Sequence, residues 1–151
     1  MVSERVDSFL EMSEVLTGFK RVELLGTGMT EQLVASLDQV LPAGVLDELL
    51  DAYRRLPPGA EAEAALESNV LADSKLGPVA RNVILAWYCG TWTALPDTWR
   101  AAYGGSPLDT DRVLSPEAYL GGLQWVAAGA HPAGARQQGY GAWSVPPGAT
   151  P

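Results

Sequence analysis

The chain has one histidine and one cysteine, the first candidates for acid–base or nucleophilic chemistry. His131 stands before Pro132 in a stretch without periodicity, so acting as a general base would require the fold to bring a carboxylate or a nucleophile beside it. The competing reading is a solvent-exposed or interface imidazole. Cys89 precedes Gly90 at the expected end of a helix, where the negative end of the helix dipole opposes thiolate formation and favours a structural thiol. A lone cysteine excludes an internal disulfide, and with one histidine no structural zinc cluster can be assembled. The acids Asp47, Glu48 and Asp51, and again Glu61, Glu63 and Glu67, have the spacing of solvated helix faces, with no histidine near them to complete a metal box. Gly26-Thr27-Gly28 lacks the remaining glycines and the strand–helix context of a dinucleotide fingerprint and reads as a turn. No catalytic, cofactor-binding or metal-ligating residue is therefore assigned.

The elements that would position these groups are helical. Val6, Phe9, Leu10, Met12 and Leu16 make one apolar face that ends at Thr17-Gly18-Phe19. Thr30 is the expected cap of a second helix carrying Leu33, Val34, Leu37, Val40 and Leu41, which Pro42 interrupts. A third, from about Ala43 to Leu56, is closed by Pro57-Pro58-Gly59, and the two are expected to form a helical hairpin. The alanine- and glutamate-rich stretch from Ala60 to Leu71 predicts a fourth. Pro78 suits the first turn of a fifth, whose Val79, Val83, Ile84, Trp87 and Tyr88 share a face before Gly90, and this helix is expected at the hydrophobic centre.

Residues 94–114 carry Pro96, Gly104-Gly105 and Pro107 and read as a long connection pinned by Trp92, Trp99 and Tyr103. Ser115-Pro116-Glu117 opens a sixth helix with Tyr119, Leu120, Leu123, Gln124 and Trp125. Its paired Gly121-Gly122 cost about 1 kcal/mol each relative to alanine, which implies a close packing crossing or a partner contact. The expected architecture is all-α: one bundle of about six helices over 1–128, then an extended, irregular tail over 129–151. That tail is rich in glycine and proline and cannot form a core alone; Tyr140 and Trp143 are its aromatic groups.

Aromatic anchors on a pliable segment are typical of interface hot spots, so Trp143 reads as a partner contact. Trp87 weighs toward core packing by its helix face. The residues assigned to a partner surface are Trp87, Tyr88, Trp125, Tyr140, Trp143, Pro146 and Pro147.

Length and charge bound the rest. A chain of 151 residues that is 47% hydrophobic can bury a core of its own. A formal charge of -8 disfavours nucleic acid and anionic membrane surfaces, and Arg54-Arg55 is too short a basic run to offset it. The longest apolar stretch, around Val83 to Tyr88, is too short for a membrane span.

Four segments carry a resemblance. Phe9 to Phe19, Ala80 to Gly90, Tyr119 to Trp125 and Gly139 to Pro147 are similar, in order, to the small subunit of membrane-bound FAD-dependent sorbitol and fructose dehydrogenases. The resemblance implies an accessory role: a large flavoprotein of the glucose-methanol-choline type holds the FAD and the catalytic histidine, and the small helical subunit supports its folding, stability and export. It implies no cofactor in this chain, and a large flavoprotein subunit as its partner. The chain departs from the family in lacking a twin-arginine signal, so the expected location is cytoplasmic, or periplasmic if such a signal has been removed. It also has His131 to Gln138 where the family often has a cysteine-containing turn.

The resulting expectation is a noncatalytic subunit or dedicated chaperone of a sugar or polyol oxidoreductase, in a hetero-oligomer. Two alternatives stay open: a self-sufficient helical module binding a small molecule between Trp87, Trp92 and Trp125, and a small enzyme using His131.

Overall fold

The computed structural model describes residues 3–130 and residue 132. The protein is mostly helical, as the periodicity predicts. Its elements are α1 (Glu4–Thr17), α2 (Arg21–Gly26), α3 (Thr30–Val40), α4 (Val45–Arg54), α5 (Ala62–Leu66), α6 (Leu76–Cys89), β1 (Thr91–Trp92), α7 (Asp97–Tyr103), β2 (Arg112–Val113), α8 (Pro116–Gly121) and α9 (Leu123–Ala127).

The centre is α6. Pro78 sits in its first turn, Gly90 ends it in the left-handed conformation (φ 64°), and its Val79, Val83, Ala86 and Trp87 are buried. It packs against α1, α4, α8 and α9. Trp87 lies against Phe9 of α1 with ring centroids 6.0 Å apart. Its indole N–H donates to Ser13 Oγ at 2.9 Å, and the Ser13 hydroxyl donates onward to the Phe9 carbonyl at 2.6 Å. A buried indole N–H left without an acceptor costs about 1–3 kcal/mol, so this bond fixes the register of α1 on α6.

The two helices of the expected hairpin, α3 and α4, both pack on α1. Arg5 of α1 explains the convergence, because its guanidinium reaches Asp38 of α3 and Asp47 of α4, each at 2.6 Å. These two carboxylates hold the Arg5 pKa further above its ordinary value. Thr30 is not the cap of α3 but its first helical residue; Met29 takes the cap position, and the buried Thr30 Oγ1 has no hydrogen-bond partner among the described residues. A helix that periodicity did not predict, α2, follows Phe19; Glu23 in its first turn accepts the Lys20 N–H at 2.8 Å, closing the free end.

The predicted fourth helix is a composite. A 3₁₀ turn (Gly59–Glu61) leads into α5, which loosens into a π turn (Glu67–Leu71) where the Ala72 N–H reaches back to the Glu67 carbonyl at 2.9 Å. The Ser68 hydroxyl donates to the Ala64 carbonyl at 3.0 Å, the kind of side-chain competition that widens a helix.

The stretch 94–114 is not wholly a connection. It contains α7 and β2, the latter paired antiparallel with β1 in the register Thr91↔Val113 and Trp92↔Arg112. Anchors from elsewhere, rather than local periodicity, order this stretch. Trp99 donates to the Lys75 carbonyl at 2.8 Å, and the Asn82 amide both donates to the Thr93 carbonyl (2.8 Å) and accepts the Thr93 N–H (3.1 Å). Asp109, 2% exposed, accepts the Trp92 indole N–H at 2.7 Å and the Leu95 N–H at 3.0 Å. The expectation that Trp92, Trp99 and Tyr103 pin the stretch is met, with the Tyr103 hydroxyl 3.1 Å from that of Ser74.

The sixth predicted helix breaks at Gly122, whose ψ of 143° separates α8 from α9. Close approach is the cause: a Cβ on Gly122 would lie 2.4 Å from the Tyr88 carbonyl, and one on Gly90 would lie 2.3 Å from the Ala118 backbone. The cost of Gly122 thus gives α6 backbone-to-backbone contact with the α8–α9 junction.

Two predictions follow from this packing. Gly122→Ala has no conformational penalty at φ -58° but a backbone clash, so it should destabilise by about 2 kcal/mol or more in urea melts; a change under 0.5 kcal/mol would show that the junction yields freely. The Tyr53 phenol, whose hydroxyl donates to the Glu11 carbonyl at 3.3 Å, has its pKa raised by burial and then by Glu11 and Glu14. Folding therefore favours the neutral phenol, and its contribution is complete below the unfolded value of 10.0 and lost as pH rises through the higher folded value. Thermal melts above pH 10 should fall more steeply for the wild type than for Tyr53→Phe.

Candidate partner interface

The site is built on the carboxy-terminal end of α6. One turn after Ser13, the Thr17 carbonyl accepts the Tyr88 hydroxyl at 2.8 Å, while the Thr17 hydroxyl donates to the Ser13 carbonyl at 2.7 Å. Past the α1 cap at Gly18, Phe19 meets Tyr88 edge-on, with centroids 5.8 Å apart at 70°. Tyr88 is thus half-buried beneath Phe19. On the other side, Trp125 of α9 meets Tyr119 of α8 edge-on at 5.6 Å and donates its indole N–H to the Tyr119 carbonyl at 2.9 Å.

Between these walls lies a groove of about 580 Å³, a size typical of clefts that bind ligands or side chains. Its apolar lining comes from Phe19, Leu120, Leu123, Trp125, Val126 and Pro132, with Glu23 and Thr27 of α2 at its polar edge. Val126 is 72% exposed and Tyr119 42%. Exposed apolar groups beside a cleft of this kind mark interaction surfaces in water-soluble domains.

The residues assigned from sequence divide three ways. Tyr88 and Trp125 belong to this region, Tyr88 under the Phe19 wall and Trp125 in the groove itself. Trp87 does not: it is fully buried and presents no surface to a partner, because its ring and its N–H are both used inside the chain. Tyr140, Trp143, Pro146 and Pro147 lie outside the described residues, as does His131. The small-molecule pocket expected between Trp87, Trp92 and Trp125 is also corrected. Trp87 and Trp92 are core residues at 0% and 1% exposure, and the groove reaches Trp125 alone of the three.

Sequence reasoning missed Phe19 and the α2 wall. Their signal was present in Glu23, three residues after Lys20, a spacing that closes a helix start.

Two further clefts flank α1. One, also about 580 Å³, lies between α1, the π turn and α6, with Val15, Leu66, Leu71 and Ile84 beside Glu63 and Arg81; Arg81 is engaged with the Leu71 carbonyl at 2.8 Å. The other, about 360 Å³, opens against Tyr53 and Pro57-Pro58. The acids singled out above lie on exposed faces, where Asp47 pairs with Arg5, Glu48 with Lys75 and Asp51 with Arg54. Cys89 is half-buried at the last position of α6. Among the described residues there is no group of three His, Cys, Asp or Glu side chains placed to hold a metal ion. No helix of the described residues is long and apolar enough to cross a membrane.

No family model, no curated protein and no solved structure matches the chain.

The groove is separable from the core. Val126→Ser should change stability by no more than about 0.5 kcal/mol, whereas Tyr88→Phe should cost about 1 kcal/mol through the unpaired Thr17 carbonyl. Urea melts of the two variants check this, and equal losses would place Val126 in the load of the fold.

Proposed function

We propose that the protein is a noncatalytic small subunit or dedicated chaperone whose surface around the α2–α9 groove covers an apolar face of a large FAD-dependent sugar or polyol oxidoreductase. The observation that carries the reading is the convergence of the segments that carry the resemblance. Phe9 to Phe19, Ala80 to Gly90 and Tyr119 to Trp125 are far apart in sequence, yet they meet through Ser13 with Trp87, Thr17 and Phe19 with Tyr88, and Tyr88 with Gly122. Phe19 of the first and Leu120 to Trp125 of the third line one open apolar groove, with the Ala80 to Gly90 segment packed behind them.

The partner's chemistry comes from the resemblance, and the groove supports the docking of a protein. A permanent interface of this kind buries roughly 2,000 Å² or more, so the groove is its anchor and the surrounding surface supplies the rest. In this reading the flavin, the substrate and the catalytic histidine belong to the large chain, and this chain acts through stability and assembly.

Co-expression with a flavoprotein encoded beside it should yield a complex that co-purifies and carries flavin absorbance. Val126→Asp, which puts a charge into the groove without touching the core, should lower recovery of that complex at least about tenfold. Turnover of a sugar or polyol by the isolated, colourless chain would overturn the reading.

A further inference from the structure

We propose that the two clefts flanking α1 act together as a docking groove for a basic amphipathic helix of a partner protein, its apolar face filling the clefts and its lysines or arginines meeting Glu11, Glu63 and Glu67. Val15 joins the two clefts. It lines both and is 43% exposed, so an apolar side chain stands open to water where they meet. On one side lie Leu66, Leu71 and Ile84, around about 580 Å³, and on the other Leu56, Pro57 and Pro58, around about 360 Å³. Both volumes are in the range of clefts that take ligands or side chains. A divided groove of this kind suits a helix, whose anchors three and four residues apart enter successive parts of it.

Charge selects the occupant. Glu11, Glu63 and Glu67 line the clefts, all three are exposed, and none has an ion-pair partner among the described residues. Glu63 and Glu67 are four residues apart along α5 and the start of the π turn, so their carboxylates share one wall. Two guanidinium groups also line the clefts. Arg54 is offset by Asp51 at 2.9 Å and bonded to Ser8 Oγ at 2.7 Å, whereas Arg81 is bonded to the neutral Leu71 carbonyl at 2.8 Å. Three open carboxylates therefore face one cation whose charge no carboxylate offsets. The Tyr53 phenol lies in the same negative field, its pKa raised by burial and then by Glu11 and Glu14.

An ordinary solvated helix face has no need of an apolar floor, and here the acids rim one. A second copy of this chain, with its formal charge of -8, is repelled by such a surface, and so is an anionic lipid. A basic amphipathic helix satisfies both the floor and the rim. The surface shares no lining residue with the α2–α9 groove, so the inference holds whatever that groove takes.

Fluorescence anisotropy on the full-length chain tests it, with a labelled peptide of about 18 residues carrying leucine on one helical face and lysine on the other. It should bind saturably, and the matching leucine–glutamate peptide should not. A Glu11→Gln/Glu63→Gln/Glu67→Gln variant should weaken binding about fivefold or more. Glu4→Gln/Glu31→Gln/Glu117→Gln removes the same charge from exposed positions outside the clefts and should change it less than about twofold. Val15→Asp should weaken binding about tenfold, and Val126→Asp in the other groove should leave it unchanged. Equal losses in the two triple variants would overturn the proposal by assigning the attraction to net charge alone. Loss in Val126→Asp without loss in Val15→Asp would move the peptide to the α2–α9 groove, and no saturable binding up to about 1 mM would remove the site altogether. Because no flavoprotein is present, these outcomes are independent of the accessory-subunit reading.

Discussion

The hydrogen bond from the Trp87 indole to Ser13 is the constraint from which the rest of the architecture follows. An indole at the centre of a small helical domain brings a large apolar surface and one N–H that must find an acceptor. Ser13 meets that need from α1, and its hydroxyl is itself satisfied by the Phe9 carbonyl, so no polar atom of the pair is orphaned. Because α1 repeats each turn, the same register sets Phe9 against the Trp87 ring and the Thr17 carbonyl beneath the Tyr88 hydroxyl. Phe9, Ser13 and Thr17 are spaced by four, and one sliding coordinate satisfies all three. Slippage of α1 by a turn would lose them together, which is why this seam is stronger than the sum of its separate contacts.

Both walls of the groove depend on that seam. Phe19 follows the Gly18 cap of α1 and leans on Tyr88, so its position is set by the α1–α6 register. The α8–α9 junction is held on the opposite side by glycines, Gly90 against Ala118 and Gly122 against the Tyr88 carbonyl. Tyr88 therefore touches both walls, through its ring on one side and its backbone on the other. The absence of side chains at these crossings fixes the groove's shape as firmly as the aromatic contacts do.

Much of this was legible from residue spacing. The faces of α1, α3, α4 and α6, the stop at Gly90, the Ser115-Pro116 start and the close approach implied by Gly121-Gly122 all follow from local rules that the tertiary structure obeys. What was not legible depends on distant partners. The α7 helix owes its order to Trp99 reaching Lys75, and β1 and β2 to a buried Asp109 and the Asn82 amide, none of which leaves a periodic trace. Arg5 drawing α3 and α4 onto α1 is likewise invisible without knowing that three helices converge there. For the site, an aromatic on a helix face reads the same whether it points inward or outward. Trp87 and Tyr88 are adjacent, yet one is sealed by Phe9 while the other is half-buried at the edge of an open groove.

That division between adjacent aromatics separates the groups that complete the core from those that leave apolar surface open. The core aromatics, Phe9, Trp87, Trp92 and Trp99, have their rings buried and each indole N–H bonded within the chain, so the fold does not need a partner to complete them. Phe19, Tyr119 and Trp125 are only partly covered, and the Trp125 N–H is already bonded to the Tyr119 carbonyl, which leaves the ring to offer apolar surface without a polar demand. A docking group therefore gains the burial of these rings without having to supply an acceptor for the indole.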